Sequence, residues 1–292
     1  MKKDSLNQIF KNIIAAVICA VVLLPFVLVV SVSFTNERAL ADFGYKLWPA
    51  KLDLAAYRYI FRNPGTIIEA YKVTFIFSVA TMALGVLLMA MFAYPLTRKS
   101  LKGRRGISFF LYFTMLFNGG LVPTYILITK YLNLGDSIWV YILPGIISPW
   151  YVFMIRTFFD GIPFSLVESA VIDGASEYTV FFRIILPLSK AVLSTVALFT
   201  FLGKWNDWYT AMLYINEESL VSLQYLLQRI MNNIKLLQES NQNFSVLMSA
   251  SEIPSESVRM AMAVIVAGPA LVVFPFFQKY FVKGVTVGSV KG

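Results

Sequence analysis

Long uncharged stretches alternate with short polar ones along this chain. No Asp, Glu, Lys or Arg occurs at 13–33, 73–97, 107–129, 138–155 or 260–278. A helix needs roughly 20 apolar residues to cross about 30 Å of hydrocarbon, and these runs meet or approach that length. A sixth candidate, 191–215, is interrupted by Lys204 and Asp207. With flanks included, and Arg156 snorkelling to the interface, the predicted helices are 12–34, 73–97, 107–130, 138–158, 190–215 and 258–280. The expected fold class is therefore all-α: one polytopic membrane domain over 1–292, with six transmembrane helices and both termini on one side. Proline falls inside most of the spans (Pro25, Pro95, Pro123, Pro144, Pro149, Pro269, Pro275), so kinks are expected where neighbours can satisfy the freed carbonyls.

Composition agrees: 58% of residues are hydrophobic and 14% charged, against about half and a quarter in a soluble domain. Charge then orients the chain. If the termini are cytoplasmic, the inner segments hold Lys2, Lys3, Lys11, Arg98, Lys99, Lys102, Arg104, Arg105, Arg156, Arg183, Lys190, Lys279, Lys283 and Lys291. They hold only Asp4, Asp160, Glu168, Asp173 and Glu177 as acids, so the whole net charge of +9 lies on that side. This is the signature of a multi-pass protein of a cell membrane, embedded in lipid. The basic residues lack the aromatic interleaving of a nucleic-acid surface, and no nucleic-acid partner is expected. The apolar run near the start is longer than a signal-peptide core and no Ala-x-Ala site follows it, so an uncleaved first helix is expected.

Chemistry is sparse. Histidine is absent, and Cys19 is the single cysteine, which excludes an intrachain disulfide and any Cys or His metal cluster. No G-x-x-x-x-G-K-[ST] phosphate loop occurs, so this chain does not bind ATP by that route. No catalytic residue, metal site or cofactor is predicted.

Two segments outside the membrane are long, 35–72 and 216–257. In the second, Leu223, Leu226, Leu227, Ile230, Ile234 and Leu237 form an i, i+3, i+4, i+7 stripe, and a polar tract, QESNQNFS, follows. That helix lies on the membrane surface, caps the bundle or meets an extracellular partner. The inner loop, 160–190, carries more information. Ser165 and Glu168 form a capping-box pattern that starts a helix, and Gly174 supplies its stop near Asp173. Ser176 starts a second helix that Pro187 limits near Leu186, with Tyr178, Phe181, Phe182 and Ile185 on one stripe. Helices this short are marginal in water, so they pack either on the protein's own helix ends or on another chain.

At this loop the chain resembles the permease subunits of binding-protein-dependent ABC importers, whose loop reads Glu-Ala-Ala, three residues, Gly, nine residues, Ile-x-Leu-Pro. Here the pattern is Glu168-Ser169-Ala170, Gly174, then Ile184-Ile185-Leu186-Pro187, with both spacings intact and Ser169 replacing one Ala. Asp173-Gly174-Ala175, Trp205-Asn206-Asp207-Trp208 and the tail FVKGVTVGSVKG resemble the maltose-type, MalG-like sugar branch. The segment FNGGLVPTYILI at 117–128 is similar to the branch typified by LplC and YtcP. The resemblance implies a type I importer (MetI-like) permease fold and a non-catalytic subunit forming half of a translocation path for a sugar or oligosaccharide. It implies that the 163–187 loop couples to a separate ATPase. The coupling residues would be Glu168, Ser169, Ala170, Asp173, Gly174, Ala175, Tyr178, Phe181, Phe182, Ile184, Leu186 and Pro187. The implied partners are a homologous second permease, an ATPase dimer holding ATP and Mg, and an extracellular solute-binding (lipo)protein. It further implies that the tail, 281–292, reaches toward the ATPase dimer and that 216–257 inserts into the binding protein.

The physics fits a passive gate: driving a two-state transporter from 1:99 to 99:1 takes roughly 5.5 kcal/mol of differential binding, which here must arrive through a contact. Lys204 and Asp207, three residues apart within a span, face a cavity or a partner. They either line a substrate path, with Trp205, Asn206 and Trp208 beside them and the indoles stacking on sugar, or lock this helix against a partner permease, with the Trp residues as interface anchors. The alternative function, a secondary ion-coupled transporter, predicts inverted repeats and several intramembrane carboxylates. A membrane enzyme would need a carboxylate or metal constellation that the inner loops do not present.

Overall fold

The computed structural model describes residues 2–242 and 255–288. In chain order the helices are α1 (Lys2–Ser33), α2 (Glu37–Phe43), α3 (Ala55–Ile60), α4 (Pro64–Ala93), α5 (Arg104–Leu116), α6 (Leu121–Ile126), α7 (Trp139–Ile142) and α8 (Pro149–Asp160). They continue as α9 (Phe164–Ile172), α10 (Glu177–Val180), α11 (Leu186–Leu188), α12 (Lys190–Trp205), α13 (Tyr209–Tyr214), α14 (Leu223–Gln242) and α15 (Glu256–Gly288). Wide π turns cover Leu127–Tyr131 and Phe181–Ile185. No strand occurs among the described residues, only the isolated bridge between Thr35 and Leu52.

Among the described residues, three continuous helical stretches are long and apolar enough to cross a bilayer: Gln8–Ser33, Pro64–Thr97 and Glu256–Pro275. Two bent pairs raise the number to five, Arg104–Leu116 with Leu121–Tyr131 at 111° and Glu177–Leu188 with Lys190–Trp205 at 78°. The helices expected over 107–130, 138–158 and 190–215 are each broken within those bounds, more sharply than the expected proline kinks, and each break has a local cause. At 117–120 the Asn118 side chain accepts the Gly120 N–H at 2.8 Å, and Gly120 takes φ +87°, which an L side chain resists. At 143–148 Gly145 is also left-handed (φ +75°), and Pro149, lacking an N–H, opens α8. At 206–208 the Asp207 carboxylate turns back to the Thr210 N–H (3.0 Å) and hydroxyl (2.7 Å), the local bonding through which Asp competes with a continuing helix.

The chain divides into two units. The first comprises Met1–Ile67 and Leu226–Pro269. Here the Glu37 carboxylate accepts from the N–H groups of Glu256 (3.0 Å) and Ser257 (3.1 Å) and from the hydroxyls of Ser255 (3.0 Å) and Ser257 (2.7 Å). It therefore caps the first turn of α15 from another element, where the helix dipole favours negative charge. Partial burial alone would raise the Glu37 pKa, but these hydrogen bonds outweigh it and hold the carboxyl below its ordinary value. Nearby, Asn36 Nδ2 donates to Asp53 Oδ2 (2.8 Å), and Phe34 stacks on Tyr57 at 4.9 Å. The apolar window of α1 has no buried residue at all.

The second unit comprises Ile68–Tyr225 and Ala270–Gly292. Its core gathers Met89, Ala90, Ala93 and Tyr94 with Leu111, Val152, Ile155, Phe159, Val192 and Val196. Val167, Val180, Phe181 and Ile185 of the 160–190 loop belong to the same cluster. Phe77 lies flat on Tyr141 (4.2 Å, 4° between planes), and the Tyr141 hydroxyl donates to the Leu220 carbonyl at 2.8 Å. Asp136 accepts the N–H groups of Asn216 and Glu217, contacts that hold its pKa below the ordinary carboxylate value.

The stripe on α14 is turned inward. Leu223, Leu226, Leu227 and Ile234 are buried, and the Leu223 N–H donates to Thr74 Oγ1 at 2.9 Å. The stretch 243–254 of the 216–257 segment, and residues 289–292 of the 281–292 tail, lie outside the described residues.

Candidate functional site

The 160–190 loop is a pair of short helices with a rigid corner. Gly174 has φ +82°, its N–H reaches the Val171 carbonyl (3.0 Å), and the Ala175 N–H reaches the Ala170 carbonyl (2.9 Å). These two bonds make a Schellman stop, with Asp173 as the last half-helical residue. Ser176 then caps α10, its Oγ accepting the Thr179 N–H at 3.3 Å. The expected capping box is not formed. Pro163 holds the N-cap position of α9 and makes no side-chain cap bond, and Ser165 already lies within the first turn. Proline starts this helix because its fixed φ and missing donor suit a first turn.

Nor does Pro187 end the second helix. The chain runs through the π turn Phe181–Ile185 into α11, and Ser189 closes it with its N–H shared between Ile185 (3.0 Å) and Leu186 (3.1 Å). A proline lacks the N–H that an α-register would require, and the wide turn accommodates that loss.

The aromatic stripe divides between two environments. Phe181 and Ile185 are buried, with Ile184 and Leu186 half-buried beside them, while Tyr178 (75% exposed) and Phe182 (47%) face outward. On α9, Val167 points into the core and Ala170 is half-buried, whereas Phe164 (65%) and Ile172 (80%) are exposed. Glu168, Ser169, Asp173 and Pro187 lie on the exposed side, and Ala175 packs partly against the core. The loop therefore anchors one face in its own bundle and presents a second, apolar face outward.

A group that the sequence pattern did not single out secures this anchor. Arg98, just past α4, donates from Nη2 to Glu177 Oε2 (2.9 Å) and to the Tyr94 hydroxyl. Tyr94 Oη in turn donates to the same Glu177 oxygen at 2.5 Å, and the Tyr94 ring lies 5.1 Å from that of Phe181. Beside them opens a cavity of about 580 Å3 lined by Met91, Tyr94, Leu101, Lys102, Tyr178 and Phe182, among others. The available sequence signal was only that Arg98 and Glu177 stand on the same predicted side.

The intramembrane charges form an internal lock. Lys204 Nζ donates to the Tyr141 carbonyl at 2.6 Å, an acceptor next to the break after α7, and lies 3.8 Å from Asp207 Oδ2. Both side chains are mostly buried (17% and 16% exposed). Trp205 is 2% exposed, packed on Phe201 (5.7 Å) and Tyr71 (6.2 Å), so it offers no stacking face to a sugar. Of the motif, Asn206 and Trp208 remain exposed, with Asn206 Oδ1 accepting from Gln224 Nε2 at 2.9 Å.

Broken apolar spans around a helical core, with a stiff two-helix loop anchored on them by one face, define a multi-pass membrane protein. The match of residues 54–287 to the family described as "Binding-protein-dependent transport system inner membrane component" makes the assignment specific, and the chain belongs to that family. It is 39% identical to Protein LplC of Bacillus subtilis (strain 168) over 273 residues, 94% of this chain and 90% of that protein. It is also 39% identical over 277 residues to the polygalacturonan/rhamnogalacturonan transport system permease protein YtcP of the same strain, covering 95% of this chain and 94% of that one. Among solved structures, a chain from a bacterial ABC transporter involved in the import of the acidic polysaccharide alginate has the same fold. That match has a TM-score of 0.77 at 23% identity and covers 96% of this chain and 98% of that one.

Proposed function

We propose that this permease subunit imports a sugar or oligosaccharide and is driven by a separate ATPase dimer seated on the 163–187 loop. The observation that carries the proposal is the two-sided loop. Val167, Val180, Phe181 and Ile185 fix it to the bundle while Phe164, Ile172, Tyr178 and Phe182 face out. Exposed apolar rings on a stiff corner are what a groove on another subunit would clasp, with the exposed Glu168 available to a cation at its rim. Hydrolysis and its Mg then reside on that partner, a homologous second permease completes the path, and a solute-binding protein delivers cargo from outside. Both termini face the cytoplasm in this reading, as the basic residues require. The substrate-path assignment keeps Lys204 and Asp207, which line a cavity of about 240 Å3, with Asn206 and Trp208 exposed nearby, and loses only the buried Trp205.

The test uses a single cysteine at Ile172 in a Cys19→Ser background, in the complex purified through a tag on this chain. A short thiol-to-amine cross-linker is expected to join it to a copurifying ATPase. Its failure to do so while an ATPase is present in the preparation overturns the docking assignment. Uptake into vesicles is then screened with oligogalacturonides, arabino-oligosaccharides and maltodextrins, and transport of none of them would overturn the cargo class.

A further inference from the structure

We infer that Arg98, Tyr94 and Glu177 form an ionic strut through which movement of the coupling loop is carried to the end of α4; the inference rests on the ATPase-docking reading above. Two elements far apart in sequence meet here. Pro95 ends the regular part of the second span, and a short 3-10 turn, Pro95–Thr97, delivers Arg98 beneath it. Glu177 is the first residue of α10, immediately after the Ser176 cap, so the position of its carboxylate follows that of the loop's second helix. One oxygen, Glu177 Oε2, accepts from both Arg98 Nη2 (2.9 Å) and Tyr94 Oη (2.5 Å). The guanidinium also lies over the Tyr94 ring, 4.7 Å from its centroid.

Burial distinguishes this contact from an ordinary surface ion pair. The Arg98 side chain is 16% exposed and that of Glu177 is 62% exposed, so the cation is held inside the bundle and the anion rides on the moving part. An exposed pair is screened and contributes little, but a buried guanidinium that loses its carboxylate is left uncompensated. The contact is also bidirectional: displacing α10 must either drag Arg98 and the helix end with it or strand the charge. Arg98 and Glu177 are positioning residues in this scheme, touching neither cargo nor nucleotide. The 580 Å3 cavity alongside gives the strut room to swing.

The experiment reads motion, not cargo, in the purified complex. Met91, which lines that cavity, is replaced by Cys in a Cys19→Ser background, and its maleimide labelling rate is measured with and without ATP–vanadate. In the parent the two rates are expected to differ. In R98E or E177R that difference should shrink by about tenfold, and the doubly reversed R98E/E177R should recover most of it. If R98E does not assemble, R98Q, E177Q and their double replace it, and the double is expected to be no worse than either single. The inference is overturned by equal rates in the parent, by singles that keep the parent's difference, by a reversed pair no better than the singles, or by neutral variants whose losses simply add. The Ile172 cross-link is recorded in parallel on the parent and strut variants carrying I172C in place of M91C. Its loss from the parent refutes docking, whereas an intact cross-link with an unaffected labelling difference in R98E refutes the strut alone.

Discussion

Replacing Gly174 isolates the contribution of the loop's corner. At φ +82° an L residue is disfavoured by about 1–2 kcal/mol, and a β-carbon built at this position meets no atom within 4 Å. The cost of Gly174→Ala is therefore purely conformational. It should shift the population of the folded corner about fivefold to thirtyfold, using about 1.4 kcal/mol per factor of ten. Gly174→Asn should cost less, because Asn tolerates the left-handed region. Gly174→Pro should cost about 3 kcal/mol or more, since proline fixes φ near −65° and deletes the N–H that reaches the Val171 carbonyl at 3.0 Å. Amide exchange of Ala175, bonded to the Ala170 carbonyl, reports the local opening directly, and the yield of the Ile172 cross-link reports its effect on docking. The expected order is Gly, Asn, Ala, Pro in both assays. Equal protection in Gly and Ala, or an Asn variant no better than Ala, would refute the argument that the backbone of this one residue sets the corner.

Four further outcomes are expected. Phe182→Glu, on the exposed face, should abolish ATPase copurification while leaving the melting temperature of this chain within a few degrees of the parent. Lys204→Met removes the donor to the Tyr141 carbonyl and should lower stability in detergent by about 2 kcal/mol without changing apparent substrate affinity; a selective affinity loss would favour the path-lining role. Glu37→Gln should destabilise by about 1 kcal/mol near neutrality, its half-exposure screening the rest, measured by denaturation of parent and variant side by side. Because the folded Glu37 pKa is depressed, its contribution is present above the ordinary carboxylate value of 4.5 and lost as pH falls through the folded value, so the two proteins should converge in acid.

The apolar runs located the candidate spans, because lipid demands length and lack of charge, but six were expected where the described residues hold three continuous ones, or five with the bent pairs. Their breaks were less legible. Asn118, Gly120, Gly145 and Asp207 act through local hydrogen bonds and backbone angles that a hydropathy pattern averages away. The loop shows the same division. Gly174 and Ser176 were readable because cap chemistry is local, whereas Ser165 failed as a cap because Pro163 had already started the helix. Trp205 illustrates the harder case: an indole beside two charges reads as a ligand face until Tyr71, far away in sequence, covers it. Arg98 and Glu177, 79 positions apart, were likewise legible as charges but not as a pair.

The outward rings at Phe164, Ile172, Tyr178 and Phe182 also bear on how much of this polypeptide a cell can keep. A copy made in excess of its companions would leave that oily corner bare to water, a mark that chaperones and proteases recognise. On the proposed docking, surplus molecules would be open to culling, and the steady level of the subunit would follow the supply of the partner that covers this corner.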